Sequence, residues 1–202
     1  MFDPKPLELS TNKITLIPLT MEHLEGFYKA GKDPEVWRWS SPYQCESLDI
    51  ARNWLLLALE KQEQGIQVPF VIVDNKSKQV IGSTRYTSVN RPDRSLEIGF
   101  TFINPEYQRT YVNTHAKYLL LQHAFDVLGA IRVEFKTHED NNKSRNAILR
   151  IGGKFEGVLR NQRILFDGTY RNTALFSIIE SEWPLVKQNL LSKIEEVVYA
   201  ES

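Results

Sequence analysis

One cysteine, Cys45, stands in a chain of 202 residues. A single cysteine cannot close an intrachain disulfide, so a disulfide scaffold is excluded and a reducing compartment fits. No catalytic motif surrounds Cys45, and a bystander role is expected of it. Cysteine and histidine nowhere cluster with metal-ligand spacing, so no metal is expected. A surplus of charge is also lacking, since 25 Lys and Arg balance 25 Asp and Glu. A general nucleic-acid binder needs a basic surplus, so nucleic acid is not an expected partner. The same balance offers no acidic face for a polycationic amine. Apolar runs are broken by charge well short of the ~20 residues that span a membrane. Residues 1–10 carry no apolar run behind a basic stretch, so no secretory signal is expected. A cytoplasmic protein away from membranes, monomeric or homodimeric, is the expectation.

Apolar material is plentiful: 42% of residues are hydrophobic and 11% aromatic, enough for a sizeable core. No repeat, low-complexity tract or Pro/Gly-rich linker divides the chain. Ile14 to Pro18 reads as a strand, and Thr20 caps a helix that runs to Ala30. Ser47 opens a second helix, with Ile50, Trp54, Leu55, Leu57, Ala58 and Leu59 as its apolar face, ending by Gly65. Val68–Val73, Gln79–Val89 and Ser95–Ile103 read as an antiparallel meander. Asn113 or Thr114 opens the clearest helix, closed by Gly129. Ile131–Thr137 is a strand and Asn142–Ile151 a short helix. Lys154–Arg160 and Tyr170–Ile179 form two strands around Asp167-Gly168, and a last helix runs from Trp183 to about Val197. Helices and strands mix along the whole length, so one α/β or α+β domain over residues 1–202 is expected.

Two stretches offer chemistry. The strand Glu97–Ile103 runs through Asn104–Asn113 into a helix start. Unpaired N–H groups and a positive dipole end make such a start a seat for pyrophosphate, and Arg109 can add a charged contact. An ordinary loop into a core helix explains the segment equally well. Further on, Asn141 and Ser144 sit at a second helix start, where simple capping also accounts for them. From Lys143 to Arg163 the bases Lys143, Arg145, Arg150, Lys154, Arg160 and Arg163 outnumber one acid, Glu156, a local excess suited to phosphates.

Together these stretches resemble the GNAT acyltransferases, in the branch of the ribosomal-protein N-terminal acetyltransferases RimJ and RimL. The resemblance rests on Glu97-Ile-Gly99, Asn104-Pro-Glu-Tyr-Gln108, Ala124-Phe125 with Leu128-Gly129, and Arg132-Val-Glu134. It continues through Asn141, Ser144, Lys154–Arg160, Asp167-Gly168, Tyr170-Arg171 and Glu182-Trp183, covering about residues 13–185. It implies a twisted, mostly antiparallel sheet, flanked by helices and splayed at its middle to admit acetyl-coenzyme A. It further implies that Thr101, Phe102 and Ile103 pair with the pantetheine arm. Gln108, Arg109, Thr110, Tyr111, Val112, Asn113 and Thr114 would form the pyrophosphate loop. Asn141 would contact the cofactor, and Ser144 would lie near the sulfur. One departure stands out: Tyr111 and Asn113 occupy loop positions where the family usually has small residues, glycine above all.

The implied activity is acetyl transfer to a primary amine, a protein N-terminus or a small molecule, by direct attack on the thioester. Glu97, beside the expected thioester, is the candidate base, and Ser144 a candidate acid toward the leaving sulfur. Trp37, Trp39, Tyr43, Arg85 and Tyr86 are candidate acceptor-lining residues; aromatic core packing is the competing explanation for the tryptophans. The unusual loop keeps a second reading open, a non-catalytic GNAT-fold binding or regulatory protein.

Overall fold

The computed structural model describes residues 2–39, 42–165 and 167–200, with side chains through residue 195. Its centre is an eight-stranded sheet. In chain order the strands are β1 (Leu9–Ser10), β2 (Ile14–Pro18), β3 (Val68–Asp74), β4 (Val80–Asn90), β5 (Ser95–Ile103), β6 (Arg132–His138), β7 (Lys154–Ile164) and β8 (Tyr170–Ile179). In space they run β1-β2-β3-β4-β5-β6-β8-β7, antiparallel throughout except for the β5–β6 pair. The helices are α1 (Leu24–Ala30), α2 (Leu48–Glu63), α3 (Val112–Gln122), α4 (Asn142–Arg150) and α5 (Trp183–Ala200). No helix among the described residues is long and apolar enough to cross a membrane.

Strand alternation sends side chains to two cores. On one face Leu96, Ile98, Val133, Phe135, Ala174 and Phe176 pack under α3, α4 and α5. On the other, Val71 and Phe102 pack with Phe27, Trp37, Cys45, Ala51, Leu55 and Ala58 of the α1–α2 layer. Ser47 caps α2 by accepting from the Ile50 N–H. The helix buries Ala51, Leu55 and Ala58, a 4–3 spacing, and leaves Leu56 and Leu57 exposed. Leu57 therefore lies off the expected apolar face, one residue out of register with it.

Boundaries also differ. The helix expected to run on from a Thr20 cap opens as α1 only at Leu24, behind a 3-10 turn over Met21–His23. The two-residue β1 was too short to give a pattern, and β7 runs four residues beyond Arg160 as a twice-bulged edge strand. Helix α3 opens at Val112 rather than at Asn113 or Thr114, because Tyr111 is already helical (φ −63°, ψ −24°). Its last turn widens into a π-helical segment, His123–Val127, before Gly129 reverses the chain at φ +71°.

The feature that positions a site is the middle of the sheet. β5 and β6 pair only through Ser95–Glu97 with Arg132–Glu134. Beyond Glu97, β5 follows β4 while β6 follows β8, so the two strands part. At the parting Phe100 takes φ +50°, and the β4–β5 register slips between Arg85↔Gly99 and Ser83↔Phe102. This bulge reverses the alternation: Ile98 belongs to the α3 core, Phe102 to the α2 core, and Ile103 packs again toward α3.

Helix α3 carries a stability signature. His115 is 1% exposed; its Nδ1 lies 2.9 Å from Thr11 Oγ1 and its Nε2 has no partner among the described residues. Burial, with Lys13 nearby, pushes its pKa down to about 4. An unfolded histidine titrates near ~6.5. Below that pH the unfolded chain takes up a proton that the native state refuses. Stability is therefore expected to fall as pH drops from 6.5 toward 4, by about 2 kcal/mol at pH 5. Urea unfolding between pH 7.5 and 5 should show this slope flattened in His115→Gln; an equally steep slope in the variant would contradict the assignment.

Candidate active site

The loop between β5 and α3 closes one end of the cleft. Gln108 Nε2 donates to the Ile103 carbonyl at 2.8 Å, and Lys143 Nζ in the first turn of α4 donates to Gln108 Oε1. Gln108 thus ties the end of β5 to α4 across the parting strands. Thr110 Oγ1 donates to the Tyr107 carbonyl at 2.7 Å. Arg109 takes φ +63° and points an exposed guanidinium outward with no partner among the described residues. The N–H groups of Asn113 and Thr114 lie in the first turn of α3, where an α-helix leaves its donors unpaired and its dipole positive.

Tyr111 explains how this loop does without glycine. Its φ of −63° is ordinary for any residue. Its ring turns into the body of the protein, packing edge-on against His115 at 5.7 Å, and its hydroxyl donates to Asp74 Oδ1 at 2.7 Å. Asn113 lies inside α3. The departure from the family pattern therefore leaves helical backbone where it occurs, with the tyrosine side chain turned inward.

Beneath β5, Thr101 Oγ1 contacts Thr84 Oγ1 at 2.8 Å and accepts from Lys117 Nζ at 2.7 Å. Burial pushes the Lys117 pKa down to about 7. Asn141 accepts the Ser144 N–H at 3.0 Å and so caps α4. The Ser144 hydroxyl has no hydrogen-bond partner among the described residues.

The opposite face of the sheet carries a charged chain. Lys136 Nζ lies 3.0 Å from Glu97 Oε2 and 2.9 Å from Glu134 Oε2. Arg132 continues the chain from Glu134 to Glu156, which also accepts from Ser177 Oγ at 2.7 Å. Arg132 holds the Glu156 carboxyl down to about 2. Glu97 Oε1 points over Gly99, where an added Cβ would come within 2.8 Å of it. A carboxylate is thus held half-sheltered where β5 and β6 begin to part.

Of the expected acceptor residues, the structure brings only some to the cleft side. Trp37 is buried in the α2-side core, donating to the Gly31 carbonyl at 2.7 Å. Trp39 is half-buried and packs against His138 with ring centroids 4.8 Å apart and planes tilted by 48°. Tyr43 donates to the Lys32 carbonyl. Arg85 is buried beside Trp54 and Phe100, 4.9 and 4.7 Å from their ring centroids. Tyr86 is a correction: it lies fully buried on the α3 face, with its hydroxyl on the Leu120 carbonyl, and lines no cleft. Cys45 is buried, and burial pushes its thiol up to about 12, which leaves no thiolate for nucleophilic chemistry. No group of three or more His, Cys, Asp or Glu among the described residues is arranged to hold a metal. Lys136 and Phe100 were missed. Neither sits in a motif, and both matter only through strand pairing.

Comparison with known proteins gives the arrangement a context. Residues 13–154 match the family model of the acetyltransferase (GNAT) domain. The chain is 27% identical to the uncharacterized N-acetyltransferase YoaA of Bacillus subtilis (strain 168) over 174 residues, 85% of this chain and 96% of that protein. A GCN5-related N-acetyltransferase from Brucella melitensis superposes with a TM-score of 0.87 at 27% identity, covering 94% of this chain and 86% of that one. Mycobacterium smegmatis RimJ, solved with CoA-disulfide, shares the fold at 19% identity, with a TM-score of 0.79 over 93% of this chain and 95% of its own.

Proposed function

The chain belongs to the GNAT acetyltransferase family, and from that premise we propose that it acetylates a primary amine, on a peptide N-terminus or a small molecule, by direct attack of the amine on the thioester. Dependence on acetyl-coenzyme A comes with the family. The observation that carries the reading is the parting of β5 from β6 directly in front of the α3 N-terminus. The residues present fit the coenzyme. The cleft-side edge of Thr101, Phe102 and Ile103 has no strand partner among the described residues and, apart from the Ile103 carbonyl that Gln108 engages, is open to an amide-bearing arm. The first-turn N–H groups of α3 and the Arg109 side chain suit a pyrophosphate. At the start of α4, Asn141 keeps its Nδ2 without a partner among the described residues. Bound there, the coenzyme supplies an acetyl group already activated as a thioester.

The protein's own groups do the rest. Glu97 takes the ammonium proton, directly or through water, so that the amine arrives as a nucleophile. The uncommitted Ser144 hydroxyl is suited to donate toward the departing sulfur. Backbone at the Phe100 bulge is suited to polarise a carbonyl, since bulged residues leave the ladder. The reading as a non-catalytic module loses its motive with the helical backbone of Tyr111 and Asn113. Acetyl-coenzyme A at ~100 times its Kd should stabilise the protein by about 2.7 kcal/mol, whereas acetate should not. Absence of a melting shift at millimolar acetyl-coenzyme A would refute cofactor binding. Thiol release across a panel of peptides and small amines then identifies the acceptor.

A further inference from the structure

We propose that the acceptor carries an oxyanionic group, a carboxylate or a phosphate, which Arg171 receives together with Arg163 while the amine lies at Glu97. The inference rests on the acetyltransferase reading for the amine and adds the chemical class of its bearer. In β8, Ala174, Phe176 and Ile178 enter the α3-side core, so Arg171, Thr173 and Ser177 line the other face. In β6, Val133 and Phe135 enter that core, which leaves Glu134, Lys136 and His138 on the face of Glu97. The register sets Thr173 opposite His138 and Arg171 opposite Arg163. Glu97 and Arg171 therefore flank one polar surface on either side of β6.

Arg171 is a buried cation with no anion beside it among the described residues. It is 7% exposed, and its Nε is buried with no partner among the described residues. Among the described residues its one hydrogen bond runs from Nη1 to the Trp39 carbonyl and is long, 3.4 Å. No carboxylate among the described residues lies within ion-pair distance of it. Across the ladder Arg163 is exposed and has no ion-pair partner among the described residues, and like charges directly opposite in a sheet repel. Burial and Arg163 push the Arg171 pKa down, and the nearby Glu97 charge works against them. A desolvated guanidinium left this way is costly, and that cost falls away when an anion arrives. Its planar fork matches the two oxygens of a carboxylate or phosphate. Trp39, with its carbonyl on Arg171 and its ring on His138, walls the same spot. The other buried arginine, Arg85, is differently placed: aromatic faces of Trp54 and Phe100 and the Gln67 amide oxygen already attend its charge.

Product binding tests this without turnover. N-acetyl-amino acids would be titrated, each beside its neutral amide, into the protein saturated with coenzyme A. N-acetyl-O-phosphoethanolamine beside N-acetylethanolamine forms the phosphate arm. At least one anionic product should bind tenfold or more tighter than its neutral twin and shift the Arg171 Nε–H resonance. The tighter arm tells carboxylate from phosphate. Arg171→Gln should abolish the preference while keeping coenzyme A affinity, and Arg171→Lys should retain part of it. If Arg171→Gln fails to fold, the exposed Arg163→Gln carries the test and should weaken the preference. Equal binding of the charged and neutral twins, no binding of any product, or a preference that survives Arg171→Gln would overturn the proposal. Loss of acetyl-coenzyme A binding by the wild-type protein would instead overturn the acetyltransferase reading.

Discussion

Glu97→Gln is expected to lower kcat about 10²–10⁴-fold near neutral pH, with acetyl-coenzyme A affinity and melting temperature close to wild type. The substitution keeps the shape of the side chain and removes its ability to accept a proton. Lys136, which pairs with Glu97 Oε2, also pairs with Glu134, so the variant leaves no buried lysine stranded. Ser88 loses only a long contact of 3.4 Å. Fold stability should therefore change little, which separates a chemical loss from a structural one. The pH profile carries the decisive signature. A free α-amine titrates near ~8 and a lysine-type amine near ~10.4. As pH approaches that value the amine arrives already neutral and has less need of a base. The deficit should accordingly narrow with rising pH. A kcat equal to wild type at every pH would remove Glu97 as the base, and a deficit that stays constant would point to positioning instead.

Local patterns made much of this molecule legible in the sequence. Ser47 and Gly129 punctuate helices for reasons that act within a few residues. The alternation in β2, β6 and β8 shows directly which face is apolar. Pairing between distant strands is where the reading stopped. The Phe100 bulge exists only relative to β4, because a register slip needs a partner strand. Lys136 becomes the neighbour of Glu97 only because β6 crosses over to lie beside β5. The misplaced Tyr86 was avoidable in principle. Arg85 and Tyr86 are adjacent in one strand, and neighbouring side chains point to opposite faces, so both cannot line one cleft. Trp37 and Trp39 differ for a subtler reason: Trp37 is the last residue of the 3-10 turn Pro34–Trp37 and enters the core, whereas Trp39 lies past the end of that turn, half-buried against His138.

Gly82→Ala is expected to be the most damaging small substitution for both stability and coenzyme binding. Gly82 lies in β4 opposite Ile103. A Cβ there would stand 2.4 Å from the Phe102 carbonyl oxygen and 3.2 Å from Ile103 Cα. Both obstacles are backbone, so no rotamer change relieves them and the end of β5 must move. That end is tied on two sides. Asn104 N–H donates to the Ile81 carbonyl at 2.8 Å, and the Ile103 carbonyl accepts from Gln108. A displaced Ile103 therefore disturbs the Gln108–Lys143 link as well as the open strand edge. Overpacking of this kind costs about 3 kcal/mol, a fall in Tm of roughly 6–12 °C at this chain length. Acetyl-coenzyme A affinity should fall more than tenfold. Gly152→Ala supplies the contrast, because Gly152 has φ +99° and its Cβ would meet Val186 at 2.8 Å, past the far end of α4. It too should destabilise, yet bind acetyl-coenzyme A normally below its own melting range. Isothermal titration of both variants at low temperature decides the matter. If Gly82→Ala loses stability but binds like the wild type, the end of β5 does not hold the coenzyme.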